Sequence, residues 1–394
     1  MSTSRIVRLM KYFVPLIFVL ALAVSAVYAY NPVRVYGQAD MASVAANRGG
    51  AASAETLYYP LGSAVDASGG FYVADRNNHR VLYFANDGDS IADQVYGQHG
   101  DMTAHVANND GTGNSGASSA DNLNMPTAVA VDSTGGIFVT DRDNHRVLYF
   151  AADGDTAADR VYGQAGNFAT NMVNNNGSGV YGEPGPDNFS TYILGIAVDS
   201  TDGIYVSDSA SHRVLYFAND GNTTADRVYG QWDNLNWGVR NNDGAGSIGA
   251  PSANSLNFPR GVTVDASDGL YIADRDNNRV LYFANDGDTV ADRVYGQNGD
   301  FTTNAEGGAT LDTLAHPKDM GVGPNGGLYV SDSFQHRILY FANDGDTTAD
   351  GSSADFGAQV NEPGGIVVLP DGNFYVSDTL NNRVLLVECP EWGG

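Results

Sequence analysis

Four short apolar runs, each closed by a turn signal, recur in the same order along the chain. In the first copy Ser63-Ala64-Val65 meets a turn at Asp66 to Gly70, and Phe71 to Ala74, Arg80 to Phe84 and Gln94 to Gly97 follow. The second and third runs are apolar at nearly every position instead of alternating, which predicts strands buried on both faces. There are six copies. Each carries an aspartate and, five residues later, an arginine: Asp75 and Arg80, Asp141 and Arg146, Asp208 and Arg213, Asp274 and Arg279, Asp332 and Arg337, Asp378 and Arg383. Six four-stranded sheets, each covered on both sides, are satisfied by stacking radially into a closed ring, so the pattern predicts an all-β, six-bladed propeller of antiparallel blades.

The fourth run shows how the ring closes. Val-Tyr-Gly-Gln begins at Val95, Val161, Val228 and Val294, and a fifth copy begins at Val35, upstream of every unit. The sixth unit has no copy of its own, so the N-terminal Val33 to Gly37 segment is expected to complete the last blade. In the fifth unit Ser352 stands where the valine should be, and Asp355-Phe356-Gly357 is a poor substitute strand.

Residues 1–29 read differently. Arg5, Arg8 and Lys11 precede a charge-free stretch from Tyr12 to Tyr30 that ends near Val27-Tyr28-Ala29. This is the form of an export signal, cleaved or retained as a membrane anchor, with residues 30–394 as one extracytoplasmic propeller. Membrane contact is expected through that segment only. A lone Cys389 rules out an intramolecular disulfide. With 20 Lys and Arg against 46 Asp and Glu, the net charge of −26 repels nucleic acid.

At Pro126 to Phe150 and Pro259 to Phe283 the chain resembles the NHL-repeat family of β-propellers, whose repeat runs Pro, Gly, a Val-Asp turn, a Tyr-Val-Ala-Asp strand and an Asn-His-Arg-Val strand. The resemblance implies a platform for protein, glycan or RNA ligands; the acidic charge sets RNA aside and leaves a protein, peptide or glycan as the expected partner. The resemblance also implies an alternative: a minority of relatives are metal-dependent lyases or lactone hydrolases working in the central channel. A purely structural surface module is a third reading. The non-catalytic binding scaffold is the reading adopted.

Four of the seven histidines, His79, His145, His212 and His336, occupy one repeat position, with Asn278 and Asn382 in the other two units. Ligands spread around a ring cannot meet at one zinc ion, so a loop-to-strand hydrogen bond is expected instead. No catalytic triad or phosphate loop is present in the sequence, and no cofactor is expected. Asp87, Asp89 and Asp93, repeated in later units, form a weak calcium candidate that competes with a plain Asp-Gly hairpin turn. The Asp and Arg of each repeat are expected to pair for structure. Arg76, Arg142 and Arg275 lie beside three of these aspartates.

Long inserts rich in Asn, Gly and Ser join each of the first four blades to the next, and a similar one precedes the first. All should rise from one face. The residues that open the first strands are Leu61, Thr127, Leu194, Arg260, Lys318 and Gly364, so two neighbouring blades break the pattern with cations. Arg260 and Lys318, with His316 close by, are therefore the expected seat for a small anionic group at the channel mouth.

Overall fold

A computed structural model of the chain describes residues 31–177, 180–308, 310–352 and 360–388. Residues 1–29, expected to direct export, Cys389 and Asp355 to Gly357 lie outside the described residues. Among the described residues, no helix is long and apolar enough to cross a membrane.

The strands form six four-stranded antiparallel sheets arranged as blades. Blade 1 runs from an inner strand, Pro60–Val65, through Phe71–Asp75 and Arg80–Phe84 to an outer strand, Gln94–Tyr96. The inner strands of the other blades are Pro126–Val131, Ile193–Val198, Pro259–Val264, Pro317–Val322 and Pro363–Val368. Every residue of each second strand is buried, as uninterrupted apolar runs require of a sheet packed on both faces.

Neighbouring blades interlock through the tyrosine of Val-Tyr-Gly-Gln. Tyr96 meets Phe150 of the next blade edge-on at 5.2 Å, and Tyr162 with Phe217, Tyr229 with Phe283 and Tyr295 with Phe341 repeat the contact at 5.1 to 5.4 Å. Edge-to-face pairs of this kind add about 1 kcal/mol beyond the area they bury.

The ring closes through its ends. Asn31–Tyr36 pairs antiparallel with Arg383–Glu388 as the fourth strand of blade 6, with Val35 opposite Leu385 and Tyr36 opposite Val384. Tyr36 then meets Phe84 of blade 1 at 5.1 Å, the same interblade contact made across the seam.

Blade 5 differs from expectation in detail. Its fourth strand is Gly351–Ser352, with Tyr340 opposite Gly351 and Leu339 opposite Ser352, the register that Gln94 and Val95 keep in blade 1. The ladder is made by backbone groups, so the strand survives loss of the Val-Tyr side chains. Across the joint between blades 5 and 6, Tyr329 and Phe374 of the second strands meet at 5.4 Å.

All six Asp and Arg pairs form, with Nε donating to Oδ2 at 2.6 to 2.8 Å and both groups almost fully buried. Their role extends beyond the blade. Arg80 also donates through Nη2 to the carbonyls of Ser53 and Thr56 in the preceding insert and through Nη1 to Met102 in the following one. Asp75 accepts the Tyr58 N–H at 2.7 Å through its other oxygen. One fixed guanidinium fork thus ties two inserts to the ring. The glutamine of Val-Tyr-Gly-Gln adds a second clamp: Gln98 Nε2 donates to the carbonyls of His79 and Val106 at 2.7 and 3.0 Å.

Candidate functional site

The repeated histidines act at the joints between blades. The imidazole Nδ1 atoms of His79, His212 and His336 accept the N–H groups of Met125, Phe258 and Glu362 in the next blade at 3.0 to 3.1 Å. Asn278 and Asn382 do the same for His316 and Tyr59 through Oδ1, at 2.9 Å each. These five recipients immediately precede the inner-strand proline and hold φ between 49° and 58°. A residue before proline is disfavoured in the α regions, so the interblade bond pins a strained backbone in place. In the third blade Ile193 replaces the proline, and His145 instead donates from Nδ1 to the Ser190 carbonyl at 3.1 Å.

Just inside this joint every inner strand carries a bulge. In blade 4 the register shifts between Pro259 and Val262, and in blade 5 between Pro317 and Met320. The bulge holds Arg260-Gly261 in one and Lys318-Asp319 in the other, and bulges re-aim side chains. Here they line a central cavity of about 290 Å³ together with the other inner strands.

The cations do not act alike. Lys318 is nearly buried and donates to Glu362 Oε2 at 3.0 Å, and burial foremost, with the Arg260 charge, pulls its pKa down to about 8. The Arg260 guanidinium makes no hydrogen bond or ion pair among the described residues. Burial, then the charge of Arg275, lowers its pKa to about 10, so it stays charged. The His316 ring lies 4.4 Å from Phe334, and its Nδ1 is 3.7 Å from Asp276 Oδ1.

The structure adds three arginines to this mouth that were expected only beside the repeat aspartates. Arg76 lies over the Tyr59 ring at 5.1 Å, Arg142 over Tyr192 at 4.4 Å and Arg275 over Phe258 at 5.7 Å. Arg142 and Arg275 have adjacent acids, Asp143 at 3.4 Å and Asp276 at 2.6 Å. Arg76 has its aromatic partner and no ion pair among the described residues. Arg76 and Arg260 are within electrostatic reach of each other, with Tyr59 beside both. Two unneutralised guanidinium groups around an aromatic ring can hold an anionic group by charge-assisted hydrogen bonds while the ring covers its apolar face.

The acidic turns have a sufficient structural account. Asp87 Oδ1 accepts the Asp89 N–H at 3.1 Å, Asp89 Oδ1 the Ile91 N–H at 2.8 Å, and Asp93 Oδ2 the Ala85 N–H at 2.8 Å. Among the described residues, no three His, Cys, Asp or Glu side chains gather as a metal site. Millimolar calcium added to the chelated protein is expected to raise its melting temperature by less than about 2 °C, because a ligand stabilises only by binding the native state. A large, saturable rise in scanning calorimetry would show that the turns bind calcium.

Bulged inner strands, interblade imidazole bonds and a cation-lined mouth define the class: a six-bladed propeller with one decorated face. The NHL repeat matches residues 57–84, 123–150, 191–217, 256–283 and 360–385, and the chain belongs to the NHL-repeat β-propellers. These matches fall in blades 1 to 4 and 6; Lys318 and Asp319 lie in blade 5. No curated protein matches the chain. Similar solved structures include a protein of unknown function from Bacteroides thetaiotaomicron, at 16% identity and a TM-score of 0.52, covering 86% of this chain and 72% of that one. Another is a catalytically inactive virginiamycin B lyase from Staphylococcus aureus with quinupristin, at 12% identity and a TM-score of 0.48, covering 91% and 99%. Such identities speak to fold alone.

Proposed function

We propose that this propeller is a non-catalytic binding scaffold, acting outside the cytoplasm, that takes a protein, peptide or glycan ligand on its insert-bearing face and seats an acidic group of that ligand at the channel mouth. The observation that carries this reading is the Arg260 guanidinium, which has no hydrogen bond or ion pair among the described residues and sits on a bulge in a protein of net charge −26. Field lines from a local cation in an acidic surface favour a compact anion over a polyanion, which the rest of the surface repels. A carboxylate matches the planar fork of an arginine. The alternative, a metal-dependent lyase or lactone hydrolase in the channel, would draw on Asp319 as the single carboxylate or imidazole among the cavity-lining residues.

Calorimetry with glucuronate as the probe tests the seat. Arg260→Glu combined with Lys318→Glu is expected to weaken binding at least tenfold, since each charge-assisted hydrogen bond contributes about 1.5 to 3 kcal/mol. Arg260→Gln, which leaves the Lys318 and Glu362 pair intact, should show most of the same loss with an unchanged circular dichroism spectrum. Full affinity in both folded variants would refute the proposed seat.

A further inference from the structure

The second bulge position of the inner strands is Gly62, Ala128, Gly195, Gly261 and Gly365 in five blades and Asp319 in the fifth blade of the ring. Small residues are needed there because the strands approach closely. A side chain at Gly62 would stand 2.7 Å from the Ala128 backbone, and one at Gly365 would stand 2.6 Å from the Leu61 carbonyl. The Asp319 carboxylate lies against Gly261, the residue that follows Arg260. It is therefore a carboxylate built into a girdle where neighbouring inner strands pass closely, next to Lys318 in sequence and beside the unpaired Arg260. Its Oδ2 accepts the Ile366 N–H of the next blade at 3.2 Å, and no arginine or lysine pairs with it among the described residues.

We infer that Asp319 is the proton-carrying partner of the anion seat: a carboxylate ligand docks on Arg260 as Asp319 takes up a proton, and the neutral carboxyl then presents an O–H instead of a second negative charge. The inference rests on the proposed seat and adds its regulation and the class of ligand, a weak organic acid. The proton comes from solvent and returns there on release, so no other reactant is needed. Burial pushes the Asp319 carboxyl up to about 7, opposed by the Met320 and Ile366 N–H groups and by the Arg260 charge. A bound anion beside it favours the neutral form further.

The charged groups around Asp319 are few. Arg260 faces it from the inner strand of blade 4, Lys318 precedes it on its own strand, and Glu362, ahead of the blade 6 inner strand, is engaged by Lys318. On the second strand of blade 5, Asp332 is closed by Arg337. The residues lining the cavity from blades 1, 2 and 3 are uncharged. Lys318, with its pKa near 8, also weakens anion binding as pH rises, but over a higher range.

The test is the affinity for glucuronate from pH 6 to 8, with acetate and sulfate for comparison, in the wild type and in Asp319→Asn, whose amide oxygen can still accept the Ile366 N–H. A group of pKa about 7 that must be protonated gives a roughly tenfold fall in wild-type affinity over that range. Asp319→Asn should fall no more than about threefold, the remainder being Lys318. Sulfate, a far stronger acid that shares a proton poorly, should bind more weakly than glucuronate at pH 6. A wild type as flat as the variant, or a variant as steep as the wild type, overturns the coupling while Arg260→Gln still reports on the seat. Failure of all three anions to bind the wild type at pH 6 overturns the seat and the coupling together. A ligand-free readout checks the residue itself. A folded pKa above the unfolded one favours the fold below about pH 4, and that contribution is lost progressively as pH rises from there through 7, so the stability gain of Asp319→Asn over wild type should be absent near pH 4, grow between pH 4 and 7 and level off above pH 7.

Discussion

Deleting Val33 to Gln38 is expected to lower the melting temperature by well over 10 °C. The deletion removes the fourth strand of blade 6 and bares the hydrogen-bonding edge of Arg383–Glu388. It also empties the site of Tyr36, whose ring packs against Phe71, Phe84 and Tyr375 at 4.6, 5.1 and 5.9 Å. Losing one buried aromatic side chain costs about 3 to 5 kcal/mol by itself. The seam strand contributes that, its ladder and the interface to blade 1. Substituting Ser352, in the two-residue outer strand of blade 5, should have a much smaller effect. An unchanged melting temperature in the deletion would refute the pairing of the two ends.

Replacing Arg146 by Met should cost about 3 to 5 kcal/mol, because the change leaves the Asp141 carboxylate buried without its cation. It also orphans the carbonyls of Ser119, Asn122 and Phe168, which accept from the guanidinium at 2.8, 3.0 and 2.6 Å. For a domain of this size the shift is on the order of 5 to 10 °C. The distinguishing readout is hydrogen exchange: amides of the inserts on both sides of blade 2 should lose protection while its second strand keeps it. Uniform loss would mean that the arginine serves only its own blade. Arg146→Lys should rescue little, since an ammonium cannot reach one carboxylate and three carbonyls in a planar fork.

The ring, its blade count and its closure were legible because each rests on a repeated side chain: Asp75 and Arg80 and their five copies, and the displaced Val35-Tyr36-Gly37-Gln38. The outer strand of blade 5 was legible only as a gap, since a backbone ladder at Gly351–Ser352 needs no particular side chain. The arginine-to-insert bonds could not be read because their acceptors are carbonyls, which every residue carries. Arg260 and Lys318 stood out as breaks in a repeat. Arg76, Arg142 and Arg275 did not, because half the units have an arginine there, and only the ring brings them to one mouth with Tyr59, Tyr192 and Phe258. Asp319 was visible as an acid beside the two cations; that it replaces a glycine-sized residue in the girdle became clear from how closely the inner strands pass.

The clamps on the inserts also bear on how such a surface can change. In the insert between blades 1 and 2, Gln98 and Arg80 hold the entry, Arg146 holds the exit, and Asn108 and Asn144 exchange amide hydrogen bonds at 3.0 and 2.7 Å. Between these fixed points Gly111 to Ala117 lies exposed at the tip. A tip anchored at its base can be lengthened, shortened or rewritten while the blades beneath keep their packing. Variation at the tip and packing of the ring are thereby placed on separate residues, so that tips could be exchanged without disturbing the blades, as a protein engineer would graft them.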